Sequence, residues 1–278
     1  MSTRTLNAKA GIAGGDSAAG GPVDPAAATP SVSRGRSIWV SWRGLVYQLA
    51  GIVLAASALV IWLLTANLSP IELRTLAPAA LWVYTLEHLQ LTLLAAVIVL
   101  VIAIPLGIAL TRKRLRFLTA PVLAIANFGQ AAPAVGVVVL LALWVGFSFW
   151  AATLSLVLYA VLPVLRNTMI GLDQVDARLV EAGRGMGMSA TAVLFRVELP
   201  LAVPVMLSGV RTALVLLVGT AALATFINGG GLGILITTGV NLSLTTVLVT
   251  GAVLVALLAL LIDWVGRVVE HVARPKGL

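Results

Sequence analysis

The residues able to do chemistry are few and lie close together. Between Glu87 and Asp263 the chain carries four acidic residues, Asp173, Asp176, Glu181 and Glu198, all within one polar interval running from Asp173 to Pro204. Arg178, Arg184 and Arg196 share that interval, and Arg166 lies just ahead of it. No Cys occurs in the sequence, so a disulfide framework, a thiolate metal site and a Cys nucleophile are excluded. His88 and His271 are too far apart for a metal-ligand spacing, so no metal site is expected, and each reads as an interfacial residue. No His, Cys or paired carboxylates converge within an apolar span, which argues against a membrane enzyme. The interval offers a surface to be gripped rather than a reactive centre.

Its local structure follows from the residues. Asp173 is a plausible helix N-cap, with Asp176 adding negative charge to the first turn. Val175, Leu179, Val180, Ala182 and Met186 recur at helical spacing as one apolar face, with Arg178, Glu181 and Arg184 elsewhere. Gly183, Gly185 and Gly187 weaken this helix, and Ser189 caps a second one that Pro200 and Pro204 stop. Two short amphipathic helices joined at a glycine bend make a compact knob. The glycines lack the preceding strand and the spacing of a dinucleotide fingerprint, so a nucleotide site is a poorer reading.

The order Glu181-Ala182-Gly183, Gly187 four residues on, then Val197-Glu198-Leu199-Pro200 reads E-A-G-x3-G-x9-V-x-L-P. This resembles the EAA loop of permease subunits of type I ATP-binding-cassette importers, with Gly183 for Ala and Val197 for Ile. The resemblance implies that a cytoplasmic ATPase subunit grips Glu181, Ala182, Gly183, Gly187, Val197, Leu199 and Pro200.

The elements around the knob are membrane-like. The chain is 60% hydrophobic and 10% charged, far from the soluble average of roughly 25% charged, so an all-α integral membrane protein is expected. The net charge of +8 does not point to nucleic acid, because the basic residues cluster at the ends of apolar spans. Residues 1–36, rich in Ala, Gly, Ser and Pro, read as a disordered tail without the apolar core of a signal peptide. Arg34, Arg36 and Arg43 with Trp39 and Trp42 read as an interfacial anchor. At about 20 residues per crossing, about six spans are expected, near 45–65, 86–110, 117–146, 150–171, 202–226 and 243–266. Residues 37–84 then hold the first span and an outer loop, 85–268 the permease domain, and 269–278 a cytoplasmic tail.

Basic residues set the orientation. Arg4, Lys9, Arg34, Arg36 and Arg43 precede the first span; Arg112, Lys113, Arg114 and Arg116 lie between the second and third; Arg267, Arg274 and Lys276 follow the last. Together with the knob's arginines they put both termini and the knob in the cytoplasm, with only Arg74 in the opposite loops. Gly229-Gly230-Gly231-Leu232-Gly233 lacks the Lys of a phosphate-binding loop and falls on the outer side, so any ATP and Mg are expected in another subunit and no cofactor here.

Three more stretches narrow the resemblance: Leu158-Tyr159-Ala160-Val161-Leu162-Pro163-Val164-Leu165-Arg166-Asn167-Thr168, Ser208-Gly209-Val210-Arg211-Thr212-Ala213, and Phe226-Ile227-Asn228-Gly229-Gly230-Gly231-Leu232-Gly233. With Arg184–Ser189 they are similar to the osmoprotectant branch, which carries glycine betaine, choline, carnitine or proline betaine. The similarity spans roughly 85–266, and Asn228 stands where that branch usually has Gly. It implies a bacterial inner-membrane location, a separate extracytoplasmic solute-binding protein, a lipid bilayer around the chain, and pairing with a second copy or a related permease. A permease for methionine or a sulfonate is the alternative. A secondary transporter is less favoured, because only Glu87 and Asp263 stand as intramembrane carboxylates.

Arg211 either lines the translocation path or clamps onto backbone carbonyls near the knob; the repulsion between a cation and a quaternary ammonium favours the clamp, while the negative group of a betaine leaves a carboxylate-binding role open. Asn127 and Gln130, one helical turn apart before Pro133, make either a polar stripe on the path or a packed kink. Pro105 and Pro163 read as kinks, Arg166 and Asn167 as cytoplasmic anchors, and Trp144 and Trp150 as interfacial anchors on a short outer turn.

Overall fold

A computed structural model describes residues 42–273. The tail over 1–36, Arg34, Arg36, Trp39, Arg274 and Lys276 lie outside the described residues, as does any test of their expected roles. Among the described residues every element is a helix, and no strand occurs.

Helix α1 (Trp42–Thr65) exposes most of its apolar side chains and buries only Leu45, Ile52 and Leu59, a seven-residue repeat forming one narrow seam. That seam meets α11 (Thr245–Val272), where the Trp264 indole donates to the Leu45 carbonyl at 2.9 Å and Gln48 donates to Asp263 at 3.0 Å. The rest of α1 suits lipid. The short α2 (Pro70–Thr75) carries a complete capping box. The Ser69 backbone N–H and then its hydroxyl donate to Glu72, holding its carboxyl below the usual carboxylate range.

The body is built on α3 (Pro78–Thr111), α6 (Phe149–Asp173) and α9 (Leu199–Ala221). Their shared core includes Leu91, Val99, Leu156, Val164, Leu165 and Leu217. Small residues permit close approach: a Cβ at Gly107 would lie 2.8 Å from Thr168 Cγ2, and one at Gly209 would collide with Asn167. Pro105 and Pro163 lie inside continuous helices. Helix α3, 34 residues long, spans about 51 Å at helical rise and begins eight residues before the expected position 86.

The expected third span is not one straight helix. A 3-10 turn (Arg116–Leu118) leads into α4 (Thr119–Ala131), which breaks at Ala132 and Pro133; α5 (Ala134–Val145) then leaves at 101°. Neither half reaches the length of a crossing. Five helical stretches are long and apolar enough to cross a membrane, or six if the bent pair counts as one. Trp144 and Trp150 flank the turn to α6 and are largely exposed, at 89% and 63%.

After α6 come α7 (Ala177–Gly185) and α8 (Ala190–Val193), followed by a π turn (Leu194–Glu198) running directly into α9. The chain does not stop at Pro200 and Pro204 as expected. Pro200 falls in the first turn of α9, where a missing N–H costs little, and the widened turn before it absorbs the change of register. A 3-10 segment (Ala222–Ile227) ends α9, a glycine turn leads to α10 (Gly233–Asn241), and α11 returns to the end where α1 begins.

Candidate functional site

The knob forms where expected, with different details. Asp173 belongs to α6, and the cap of α7 is Asp176, whose Oδ1 accepts from the Arg178 N–H at 2.9 Å. Ser189 caps α8 through the Ala192 N–H at 3.2 Å. Between them Gly187 has φ +81°, a conformation that L side chains resist. The face of α7 that packs is not the expected apolar stripe: Gly183 is buried against Val193, Met188 and Val197, while Leu179 and Met186 point out, 47% and 71% exposed. The packed position takes a small residue: a Cβ at Gly183 would lie 3.4 Å from Val193 Cγ2, in ordinary contact, so Ala fits there as well as Gly. Glu181, Ala182, Gly185, Gly187 and Pro200 are exposed, and Val197 and Leu199 are partly covered.

Glu198, inside the V-x-L-P stretch, is buried and receives a bidentate arginine: Arg112 Nη2 lies 2.5 Å from Oε2 and Nη1 lies 3.3 Å from Oε1. Arg112 follows α3 directly, so the pair ties the end of α3 to the end of the knob. Sequence reasoning used Arg112 only for topology and Glu198 only as a spacer. The signal available was an acidic residue next to Leu-Pro at a span's start, where burial demands a cation.

Arg211 bonds carboxylates of α11 rather than the backbone carbonyls that the clamp reading expected. Its Nε lies 3.4 Å from Asp263 and its Nη1 lies 3.2 Å from Glu270, both on α11, while Arg267 holds the other oxygen of Asp263 at 2.8 Å. The guanidinium borders a groove of about 220 Å³ with Leu93, Leu214 and Val269.

At the broken helix, Asn127 accepts from Arg166 at 2.8 Å and Gln130 donates to the Tyr159 carbonyl at 3.5 Å. The Tyr159 hydroxyl donates to the Ala132 carbonyl, beside Pro133. Both amides and a carbonyl freed by the break are therefore bonded to α6, the arrangement of a packed kink. Tyr159 was quoted in the sequence only as part of a motif.

The glycine turn closes the opposite end. Asn228 takes φ 64°, so the residue replacing the branch's usual Gly is one that tolerates the left-handed region. Gly230 and Gly231 also have positive φ, and the Gly231 N–H donates to Glu87 at 2.9 Å. Gly229 is packed on Ala224 and Ala152, and Gly233 on the Ala222 backbone. Beneath the turn, His88 is fully buried rather than interfacial, its Nε2 donating to the Val218 carbonyl at 3.0 Å. Among the described residues no cluster of three or more His, Cys, Asp or Glu could hold a metal.

The family described as binding-protein-dependent transport system inner membrane component matches residues 103–274. The chain belongs to this family. The permease is 40% identical over 192 residues to the glycine betaine/carnitine/choline transport system permease protein OpuCB of Bacillus subtilis, covering 69% of the chain and 88% of that relative. It is 37% identical over 199 residues to the osmoprotectant import permease protein OsmW of Salmonella typhimurium, covering 70% and 92%. Among solved structures, an inward-facing form of the MetNI methionine ABC transporter superposes with a TM-score of 0.60 at 26% identity, covering 70% of this permease and 96% of that chain. The permease is thus a transport component with several membrane-spanning helices, and its matched region holds the knob, Arg112, the broken helix, Arg211 and the glycine turn. Helices α1 and α2 and the start of α3, with Glu87 and His88, precede it.

Proposed function

We propose that this permease is the membrane-spanning subunit of an ATP-driven, binding-protein-dependent importer of osmoprotectants such as glycine betaine, choline, carnitine or proline betaine. The observation that carries the cargo is the 40% identity to a glycine betaine/carnitine/choline permease over nearly all of that protein. The likeness to a methionine transporter, at 26%, supports the shared architecture more than a shared cargo.

In this reading two permease subunits, identical or related, enclose the path in the inner membrane, with the knob and both termini in the cytoplasm. A separate cassette ATPase binds ATP and Mg and grips the exposed surface around Glu181, Leu179, Met186 and Gly187. A solute-binding protein docks on the opposite face. Closure of the two ATPases draws the knobs together, and the difference in contacts between the two states switches the path outward. Gly183, packed on Val193 and Val197, makes the knob stiff enough to pass on the push, and the Arg112–Glu198 pair carries it to α3. Arg211, held by two carboxylates, acts as an internal clamp rather than a path-lining cation; Asn127, Gln130 and Pro133 shape the path by fixing the break rather than by touching cargo.

The test is uptake of labelled glycine betaine into liposomes holding the permease with its ATPase, binding protein and any second permease, with ATP on the cassette side. ATP-dependent uptake that choline or proline betaine competes away is expected. An ATPase that assembles and hydrolyses without betaine uptake would discard the cargo but keep the importer; failure of any cassette to assemble on folded permease would discard both.

A further inference from the structure

Among the described residues Glu198, Asp263 and Glu270 are matched by cations, whereas Glu72, satisfied within its capping box, and Glu87 are not. Glu198 faces Arg112, Asp263 faces Arg211 and Arg267, and Glu270 faces Arg211. Glu87, half-buried on α3 at the other end of the molecule, is paired with no Lys or Arg among the described residues; its partner is the Gly231 N–H. A lone carboxylate in a partly desolvated place draws a cation from solution, because a single amide dipole compensates only part of its charge.

The surroundings of Glu87 suit one kind of cation. With Gln90 on the next turn of α3, Phe149 at the start of α6, and Asn228, Gly229 and Gly230 of the glycine turn, it lines an open cleft of about 190 Å³. The Phe149 ring supplies an apolar, electron-rich wall of the sort that an alkylated ammonium prefers to a hydrated metal ion. The Gln90 and Asn228 side-chain amides make no hydrogen bond within the chain among the described residues, which leaves them to meet a hydroxyl or carboxylate at the far end of a small cargo.

We propose that this cleft is a transient site for the quaternary ammonium group of the cargo, with Glu87 as its counter-charge and Phe149 as its wall. The proposal rests on the osmoprotectant reading above. A site of one carboxylate and one phenyl ring, open to solvent, holds cargo weakly, as a waypoint between receptor and path must. It also gives the glycine turn a second role, since the Gly231 N–H pins the carboxylate while the missing side chain of Gly230 keeps the cleft open: a Cβ at Gly230 would stand 2.8 Å from Glu87 Oε2.

Charge and structure separate cleanly in Glu87→Gln, which keeps an acceptor for the Gly231 N–H but loses the negative charge. In the complete reconstituted transporter, with binding protein saturated in turn by choline and by glycine betaine, the variant should fold and assemble normally. Choline, a net cation, should lose more than glycine betaine, whose own carboxylate Glu87 repels, so that the choline-to-betaine rate ratio falls about fivefold, the worth of one charge across a wet cleft. Phe149→Leu, which keeps the bulk and loses the ring face, should slow both cargoes about equally. An unchanged ratio in Glu87→Gln, with wild type importing both, overturns the site alone. Weaker docking of the empty binding protein on Glu87→Gln would assign the carboxylate to a basic side chain of that protein and overturn it too. Absence of quaternary-ammonium uptake by the wild-type transporter withdraws the cargo reading and the site's ligand with it. Should Glu87→Gln fail to assemble, equal rates for wild type and Phe149→Leu would be the overturning result.

Discussion

Two glycine-rich regions lie at opposite ends of the permease, and they use the same residue for opposite purposes. In the knob, Gly185 and Gly187 have nothing within 4 Å of where a Cβ would be, and Gly187 is there for its positive φ. In the outer turn, a Cβ at Gly229 would stand 2.7 Å from Ala224, one at Gly231 3.0 Å from His88, and one at Gly233 would collide with the Ala222 carbonyl. The first set shapes a surface and leaves it bare, while the second lets the chain pack on itself. Gly185 and Gly187 leave the tip of the knob bare, the condition that the proposed ATPase contact requires. A region whose glycines are crowded is built to hold the chain's own helices in register, here the end of α9 against α3, α6 and α10.

The contrast breaks most readily at the crowded end. Gly233→Ala places a methyl on the Ala222 backbone, which no side-chain rotation relieves, and the expected cost is about 3 kcal/mol, the upper range for overpacking. The variant should be recovered in low yield, or with a markedly lower melting temperature in detergent. A normal melting curve would show that the outer turn is looser than its geometry.

Next in size is the tie between α3 and the knob. Glu198→Ala strands the Arg112 guanidinium, but that side chain is 39% exposed and water screens it, so about 2 kcal/mol is expected rather than the larger value of a fully buried pair. The functional loss should exceed the stability loss: ATP hydrolysis should continue while uptake per ATP falls. The double exchange Arg112→Glu with Glu198→Arg should restore part of that coupling, which a purely steric role for Glu198 would not allow.

In the knob the expected order is reversed, with small effects on folding and large ones on transport. Gly187→Asp forces a side chain into a left-handed conformation at about 1 kcal/mol, with no steric clash to add to it. Insertion and melting temperature should change little, and ATP-driven uptake should be lost because the bend or its docking is blocked. Normal uptake by this variant would sink the assignment of the knob as the coupling surface.

These differences also mark what could be read in the sequence. Apolar run lengths gave the long helices, and capping residues with the glycine spacing located the knob, because both depend on residues within a few turns of each other. What went unread depends on distant partners. Pro133 announces an interruption, but its 101° angle is held by Tyr159, 27 residues from the carbonyl it satisfies. His88 resembles an interfacial residue near the start of an apolar helix, and only the Val218 carbonyl, 130 positions on, makes it a core residue. The partners of Arg211 lie 52 and 59 residues away on α11, so the sequence could require an acceptor without naming it. The buried face of α7 was misread for a related reason: apolar periodicity favours Leu179 and Met186, whereas the contact with Val193 and Val197 falls on Gly183, a position that periodicity does not count as apolar.

The smallest expected effect sharpens the comparison most. Gly185 ends α7, has ordinary φ and faces open space, so Ala there should stabilise the helix end by about 0.5 kcal/mol through reduced backbone freedom in the unfolded chain. If the bare glycines serve only the chain's own conformation, Gly185→Ala should be more stable and transport normally. If the bare surface is what the ATPase grips, one added methyl lies in the contact, and uptake should fall while the isolated permease melts slightly higher. Stability and activity moving in opposite directions at a position where an added Cβ would meet no other part of the chain within 4 Å beyond its own turn of helix requires a contact that the chain itself does not make.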